Sequence, residues 1–484
     1  MQVDIVRHAR LKALAAAAFS TLVLGGCMSF IPAHERPAAP VATAYPPELT
    51  PAGAPGSVPA ADIEWQRFFN DPRLKRLIEL SLQNNRDLRV GVLNIEQARA
   101  LYQIRRADEL PSLGAGVNAQ RQAAGSGGLV NTWAVGLQVT SYELDFFGRV
   151  RALSQSALAQ YLATEEARKT AQISLVAGVA TTYIGLLADD ELLRVTRETL
   201  KTREDSFRLT KLRFDNGASS EVDVRQAEQL LETAKAALAQ TRRQRALDEN
   251  ALTLLVGQAL PVDLPAPLAL EAQQAVADLP AGLPSELLTR RPDVLAAEQQ
   301  LLRANADIGA ARAAFFPRIS LTASAGSAST ELSGLFKSGS FALTGTATLL
   351  QPIFDAGRNR ANLEVAKVNK DIAIAQYEKS IQTAFREVSD ALAGRATLGE
   401  QLRAQAAVAT AAQASFNLAD LRYKNGVSSY FDLLDAQRTL FTAQQATVQV
   451  QAQQAQNLVT LYKVLGGGWT DPARASASVS ATPD

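Results

Sequence analysis

Histidine and cysteine are almost missing from this sequence of 484 residues. The histidines are His8 and His34, the only cysteine is Cys27, and neither residue type occurs after position 34. Most hydrolase triads, all cysteine nucleophiles and most zinc sites need these side chains, and a single cysteine excludes an internal disulfide. The sequence also lacks a phosphate-binding P-loop and a convincing Asp/Glu cluster. We therefore predict no catalytic residues, no metal site and no enzymatic activity.

Net charge is also small, since 49 lysines and arginines against 48 aspartates and glutamates give +1 at pH 7. A chain without a basic excess has no long-range field to attract nucleic acid, so we expect no nucleic-acid partner. Proline is missing from residues 112–260 and again from 353–471. Because proline breaks helix interiors, both stretches can hold helices of unusual length.

The N-terminus accounts for the single cysteine. Basic residues (Arg7, Arg10 and Lys12) precede a short apolar run, "LAAAAFSTLVLGG", which ends at Cys27. That order is typical of a secretory signal peptide and not of a membrane span. The residues "LGGC" resemble the lipobox of bacterial lipoproteins, which implies a signal peptide over 1–26 with N-acyl and S-diacylglycerol groups on Cys27. An unmodified cysteine is the alternative. Met28 follows instead of aspartate, which favours the outer membrane.

The body of the chain is a duplication. Residues 212–228, "LRFDNGASSEVDVRQAE", align without a gap with 421–437, "LRYKNGVSSYFDLLDAQ", and Phe214 falls on Tyr423 at an offset of 423 − 214 = 209. We predict one repeat over 62–257 and another over 276–466, with a linker over 258–275. Numerous prolines make 27–61 an extended tether, and 467–484 is predicted to be a disordered tail.

Each repeat predicts a helix, two strands, a very long helix, a turn and a second long helix. The strands, at about 112–121, 132–144, 318–327 and 341–352, alternate apolar with small or polar residues. Each has about the 9–11 residues of a strand that crosses a bilayer, although an ordinary sheet packed on a core is the alternative. Four strands cannot close a membrane barrel, so the chain must associate by twos or by threes. No segment after the leader has the roughly 18 apolar residues of a transmembrane helix.

The long helices have an apolar stripe. Residues 149–213 would form a helix on the order of 100 Å long if it is continuous. In the second repeat Ile374, Ile381 and Val388 lie seven residues apart, and Tyr377 extends the stripe. This spacing is typical of coiled-coil packing. A soluble globular core has no use for helices of this length.

Several motifs together identify a family. The lipobox, the leader "IPAHERPAAP", "SYELDFFGRVRA", "RRPDVLAAEQQLLRANADIGAARAAFFPRISLTASAG", "LRYKNGVSSYFDLLDAQRTLFTAQQ" and "LYKVLGGGW" resemble the TolC-family outer membrane factors. Within that family they are similar to the OprM-like (NodT-type) lipoproteins of tripartite RND efflux pumps. The resemblance implies a trimeric twelve-stranded outer-membrane β-barrel with four strands per chain. An α-helical coiled-coil periplasmic tunnel with an equatorial domain continues it. The implied partners are a periplasmic adaptor protein, an inner-membrane RND pump and the lipid of the outer membrane.

The two Asn-Gly turns are the first candidate site. Glycines at Gly217 and Gly426 can adopt the left-handed backbone that such a turn needs, and Ser220 and Ser429 can cap the helices that follow. Capped turns without a further role are one interpretation. The resemblance implies the other, in which these turns are periplasmic tips where adaptor hairpins dock.

The second candidate site follows from a difference between the repeats, because Gln226 and Gln229 of the first become Asp435 and Arg438 in the second. In the family, aspartates at the positions of Asp432 and Asp435 surround a constricted pore. The resemblance also implies that Tyr423 pairs with Asp223 to hold this gate shut. A family gate arginine falls on Ser428, and Arg438 could replace it by pairing with Asp435 at i, i+3. The alternative is an exposed helical ion pair. Phe431 could be a hydrophobic plug or a core residue.

The function predicted from these features is a passive exit duct of a tripartite RND-type multidrug efflux system. A structural coiled-coil envelope lipoprotein is the first alternative, but a spacer needs no alternating strands. An envelope enzyme is disfavoured by the missing histidine and cysteine. A duct of the same family for metal ions or other exports is a further alternative, although no Met or His cluster favours metals.

Overall fold

The computed structural model describes residues 29–46, 48, 59–123, 127–273, 279 and 284–469. Cys27, the predicted signal peptide and residues 470–484 of the predicted tail lie outside this description. The helices are α1 (Trp65–Phe68), α2 (Pro72–Asn84), α3 (Arg86–Ala107), α4 (Arg149–Asp215), α5 (Glu221–Val256), α6 (Pro284–Arg290), α7 (Pro292–Ala313), α8 (Arg358–Lys424) and α9 (Tyr430–Val464). The strands are β1 (Leu113–Ala123), β2 (Leu129–Glu143), β3 (Arg318–Ser329) and β4 (Phe341–Leu350).

The duplication is visible in the elements. The long helices α4 and α8 have 67 residues each, and their first residues, Arg149 and Arg358, are 209 apart. In both halves a 22-residue helix precedes two strands, and a shorter long helix (α5 or α9) follows the turn. The predicted element order of each repeat is therefore confirmed. The described residues divide into two compact units, of which the first contains 94–165 and 296–378 and the second contains both helix turns.

The first unit holds a four-stranded antiparallel sheet in the order β1-β2-β3-β4, so β1 and β4 form its edges. Large apolar side chains on these strands face outwards, with Val117 73% exposed and Leu343 74% exposed. An ordinary sheet packed on a core would bury such side chains, and exposure of this extent marks a surface that another apolar phase covers. The sheet therefore has the apolar face that a lipid-facing strand needs.

Within this sheet, β2 of the first repeat and β3 of the second repeat approach each other closely at two glycines. Gly136 of β2 pairs with Gly326 of β3. A Cβ atom on Gly136 would lie 2.7 Å from the Cα atom of Gly326, and a Cβ atom on Gly326 would lie 2.5 Å from the Cα atom of Gly136. Both distances are too short for non-bonded carbon atoms. Neither position can carry a side chain without moving the strand pair.

The segment predicted as a tether is packed along most of its described length. Phe30 stacks on Phe316 with ring centroids 4.7 Å apart. Farther along, the guanidinium of Arg36 donates two hydrogen bonds of 2.8 Å to the carboxylate of Glu298, a buried residue of α7. Bidentate pairs of this kind fix both position and orientation. The tether is thus an ordered strap on the first unit between residues 30 and 36.

In the second unit the buried carboxylate of Asp71 connects three parts of the chain. It caps α2 by accepting from the backbone nitrogens of Arg73 and Leu74. It also accepts from the Tyr183 hydroxyl of α4 at 2.8 Å and from the Gln273 side chain, beyond α5, at 2.6 Å. A buried carboxylate with this many donors is fully compensated for its loss of water.

The coiled-coil stripe of the second repeat is buried as predicted, with Ile381 at 2% and Val388 at 0% exposure. One expectation needs correction. The helix α4 contains a window with the length and hydropathy of a membrane span, because its alanines and branched residues fall close together. Half of that window is buried within the chain, as in a packed core helix.

Candidate functional site: the two helix turns

The turns α4–α5 and α8–α9 have the same hydrogen bonds. The glycines Gly217 and Gly426 have φ angles of 74° and 72°. The preceding side chains, Asn216 and Asn425, each donate a 2.7 Å hydrogen bond to the carbonyl four residues earlier. Each of these carbonyls also accepts from the backbone nitrogen of the same asparagine at 3.2 Å, so the side chain adds a second donor at the end of the helix. The predicted left-handed turns are confirmed. Nothing lies within 4 Å of a Cβ atom built on either glycine, so both turns are open to a partner.

The starts of the two following helices differ. Ser220 and Asp223 form a reciprocal capping box at the start of α5, and the Ser219 hydroxyl donates to the same carboxylate at 3.0 Å. Although burial opposes the change, the hydrogen bonds from Ser220 and Ser219 lower the pKa of Asp223. At the start of α9, Ser429 makes no side-chain capping bond. The predicted cap is therefore present in the first turn and absent from the second.

The predicted pair between Tyr423 and Asp223 is not formed within the chain, and this expectation is corrected. The carboxylate of Asp223 is occupied by its capping box. The Tyr423 hydroxyl instead lies 3.4 Å from the Thr210 hydroxyl of α4. The ring of Tyr423 is only 5% exposed and belongs to an apolar cluster with Tyr430 and Leu433. Tyr423 is consequently a packed core residue of the tip.

Two arginines of α4 contact the second hairpin, Arg213 at its turn and Arg203 farther along α9, and neither belongs to a motif that the sequence analysis identified. The Arg213 guanidinium lies 4.5 Å from the Tyr423 ring centroid and donates to the carbonyl oxygens of Tyr423 and Lys424 at 3.2–3.3 Å. A cation at a helix C-terminus is favoured by the unpaired carbonyls and the helix dipole. Arg203 lies over the Phe441 ring of α9 at 5.1 Å.

A comparison of the two repeats could have indicated these contacts. At the offset of 209, Arg203 and Thr210 of α4 become Ala412 and Ala419 of α8. Thr210 contacts Tyr423 at the end of α8, and Arg203 contacts Phe441 of α9 and the carbonyl of Leu230 on α5. Alanines occupy the same two places on α8. Comparison of the repeats at these positions, and not only at Asp435, would have found Arg203 and Thr210.

The predicted gate residues lie together at the start of α9. Asp432, Asp435 and Arg438 are all exposed, and in the part of the chain that the structure describes no ion pair joins Asp435 to Arg438 at i, i+3. The pair is thus not formed within the single chain, and its formation in the closed trimer stays a prediction. Burial, and after it the positive charge of Arg438, lower the pKa of Arg203. Phe431 is 62% exposed, so it is not a core residue of the single chain.

Comparison with known proteins identifies the family. A sequence model described as outer membrane efflux protein matches residues 77–258 and 283–467. The antibiotic efflux pump outer membrane protein ArpC of Pseudomonas putida is 47% identical over 480 residues, covering 97% of this chain and 99% of ArpC. The solvent efflux pump outer membrane protein SrpC of the same species is 48% identical over 463 residues, covering 93% and 97%. The open state of the MtrE outer membrane channel of Neisseria gonorrhoeae has a TM-score of 0.83 and 42% identity, covering 91% of this chain and 98% of that one.

The chain belongs to the outer membrane efflux protein family. The predicted fold class is confirmed: four strands per chain contribute to a trimeric outer-membrane β-barrel that a helical tunnel continues. The predicted outer-membrane location and the function as an efflux channel are confirmed as well. The family match appears twice along the chain, as expected of a duplicated sequence.

Proposed function

We propose that the trimer is a passive exit duct that a periplasmic adaptor and an inner-membrane RND pump open, and that it performs no chemistry itself. The observation that carries this proposal is the pair of open glycine turns, which have nearly the same φ angle and the same asparagine hydrogen bond in two otherwise diverged repeats. Two equivalent tips per chain give six docking places in a trimer. An enzyme or a spacer has no use for such a repeated, exposed end.

The cargo we propose is apolar or amphipathic organic compounds, including antibiotics. Support comes from the relatives, whose names describe antibiotic and solvent efflux. The closed tip is proposed to consist of Asp432, Asp435 and Arg438 with Phe431 beside them. All of these side chains are exposed in the single chain, and so are available to contact other copies around the axis of the trimer.

Efflux by a strain that lacks its own outer membrane channel tests this function. With the cognate adaptor and pump, the wild-type chain should restore antibiotic resistance and export of a fluorescent substrate. Gly217→Trp and Gly426→Trp should each abolish both, because the indole occupies the docking surface and φ near +70° strains any side chain. Gly127→Trp, between β1 and β2 with φ of 84° and open space around it, is the matched control. Full efflux by both tip variants, with trimer levels unchanged, would show that the turns are only turns.

Lipidation of Cys27 is a separate proposal, supported by "LGGC" after a basic and apolar leader. Cys27→Ser should abolish incorporation of labelled palmitate. Sheet insertion should persist, since acyl chains add membrane affinity without being the spanning element. Equal labelling of the wild type and the variant would refute the modification.

A further inference from the structure

The two hairpins of one chain, hairpin 1 (α4–α5) and hairpin 2 (α8–α9), meet through a contact that runs in one direction. Arg213 at the end of α4 lies over the Tyr423 ring of hairpin 2 and donates to the last carbonyls of α8. The donor is thus in hairpin 1 and the acceptor in hairpin 2. Because one chain has a single hairpin 1 and a single hairpin 2, it can form only one contact in which hairpin 1 donates to hairpin 2.

The duplication supplies a second set of the same groups. At the offset of 209, the donor Arg213 corresponds to Arg422, and the acceptors Tyr423 and Lys424 correspond to Phe214 and Asp215. Arg422 and Asp215 are exposed, and neither forms an ion pair among the described residues. Phe214 is 39% exposed, whereas Tyr423 is 5% exposed. The donor of a second contact (Arg422) and its acceptor (the end of α4 at Phe214 and Asp215) are therefore both present and exposed.

A closed trimer brings these halves together. Three copies around an axis place six hairpins in the alternating order 1, 2, 1, 2, 1, 2, so each hairpin 2 adjoins the hairpin 1 of the next copy. We propose that Arg422 of one copy lies over the Phe214 ring of the next copy and donates to the carbonyl oxygens of its Phe214 and Asp215. The occupant of this surface is a second copy of the chain.

Charge supports the second contact more strongly than the first. Within the chain, Arg213 approaches the end of α8 beside Lys424, a residue of the same sign. Between copies the equivalent residue is Asp215, so Arg422 gains an attractive carboxylate in addition to the helix-end carbonyls. The remainder of the contact is poorer, because Arg203 and Thr210 are replaced by Ala412 and Ala419. The junction between copies thus depends on Arg422 more than the junction within a chain depends on Arg213.

Cysteine pairs related by the offset test the arrangement directly. In native outer membranes treated with a flexible bismaleimide, Arg422→Cys with Asp215→Cys should give covalent dimers and trimers on a denaturing gel. The matched pair, Arg213→Cys with Lys424→Cys, should give monomers with one internal crosslink detectable by mass spectrometry. Each single variant controls for Cys27. Oligomers missing from the first pair, or formed by the second, would overturn the contact.

A charge exchange supplies an independent readout. Arg422→Glu and Asp215→Arg should each lower the temperature at which the trimer dissociates in detergent, and the two together should restore it to near the wild-type value. Failure of the double variant to improve on the single ones would overturn the ion pair. The inference rests on the closed tip described under the proposed function. Crosslinking and dissociation temperature do not depend on conductance. A negative result in these two experiments would therefore refute the contact without refuting the proposed gate.

Discussion

Asp435→Ala combined with Arg438→Ala should raise the resting conductance of the reconstituted trimer severalfold and let large antibiotics such as vancomycin enter the cell. Both side chains are exposed at the start of α9 and have no ion-pair partner within the described chain. In a trimer, Asp432 and Asp435 place up to six carboxylates around the axis. Like charges this close repel unless a cation offsets them, and Arg438 is the nearest fixed one. The double variant removes the charges proposed to link the copies, while leaving the buried residues Leu433 and Leu434 in place.

Single-channel recording in a planar bilayer measures the effect. The wild-type pore should conduct weakly, prefer cations and be blocked by multivalent cations from the tip side. Gln226→Ala with Gln229→Ala is the control, since these residues occupy the equivalent places in hairpin 1 at the offset of 209. Removing the carboxylates alone should weaken the cation block even if the pore stays narrow. Unchanged conductance and selectivity in the double variant would place these charges on an outer face.

Periodicity and duplication made most of the fold predictable. The long proline-free runs correspond to the 67-residue helices α4 and α8, because a helix of any length needs only local hydrogen bonds and an unbroken stripe. The left-handed turns at Gly217 and Gly426 were also predictable, since few other residues adopt that backbone. Four strands can close into a barrel only if several copies associate. Physical arguments alone did not decide between two copies and three.

Contacts between segments distant in the sequence were harder to predict. Sequence spacing placed Asp435 and Arg438 at i, i+3, yet long exposed side chains gain only tenths of a kcal/mol from such pairing and need not adopt it. The choice of partner for Tyr423 depended on where α4 lies beside α8, which no local pattern encodes. Likewise, prolines indicate that the tether is extended but not that Arg36 binds Glu298. A backbone preference can be read locally, whereas a side-chain partner depends on tertiary packing.

Thermal stability should fall as the pH rises from about 5 to 8, and Asp189→Asn should remove most of this dependence. Asp189 of α4 is 7% exposed, and its burial, together with the carboxyl of Asp248, raises its pKa to about 7. Asp190 and Arg245 also influence the pKa of Asp189. Arg245 is bound to the carboxylates of Asp190 and Glu249. Arg245, the cation that lowers the pKa of Asp189, is thus already shared by two other carboxylates.

The sign follows from proton binding. An unfolded aspartate loses its proton near pH 4, whereas folded Asp189 keeps its proton to about pH 7,. The stabilisation is therefore complete below pH 4 and is lost as the pH rises through 7, with a total of at most about 4 kcal/mol. An asparagine at 189 can donate to Asp248 at every pH and has no proton to lose. The second repeat has uncharged residues at both places, Leu398 and Asn457.

Melting temperatures of the detergent-solubilised trimer between pH 5 and 8 measure this difference. Asp189→Asn should melt higher than the wild type at pH 8 and at nearly the same temperature at pH 5. The control is Asp205→Asn on the same helix, whose exposed pair with Arg208 is of the kind that contributes little to stability. Because both variants remove one carboxylate from α4, a general effect of net charge would change them equally. Parallel pH profiles for the wild type and Asp189→Asn would mean that the buried carboxyl pair does not share a proton.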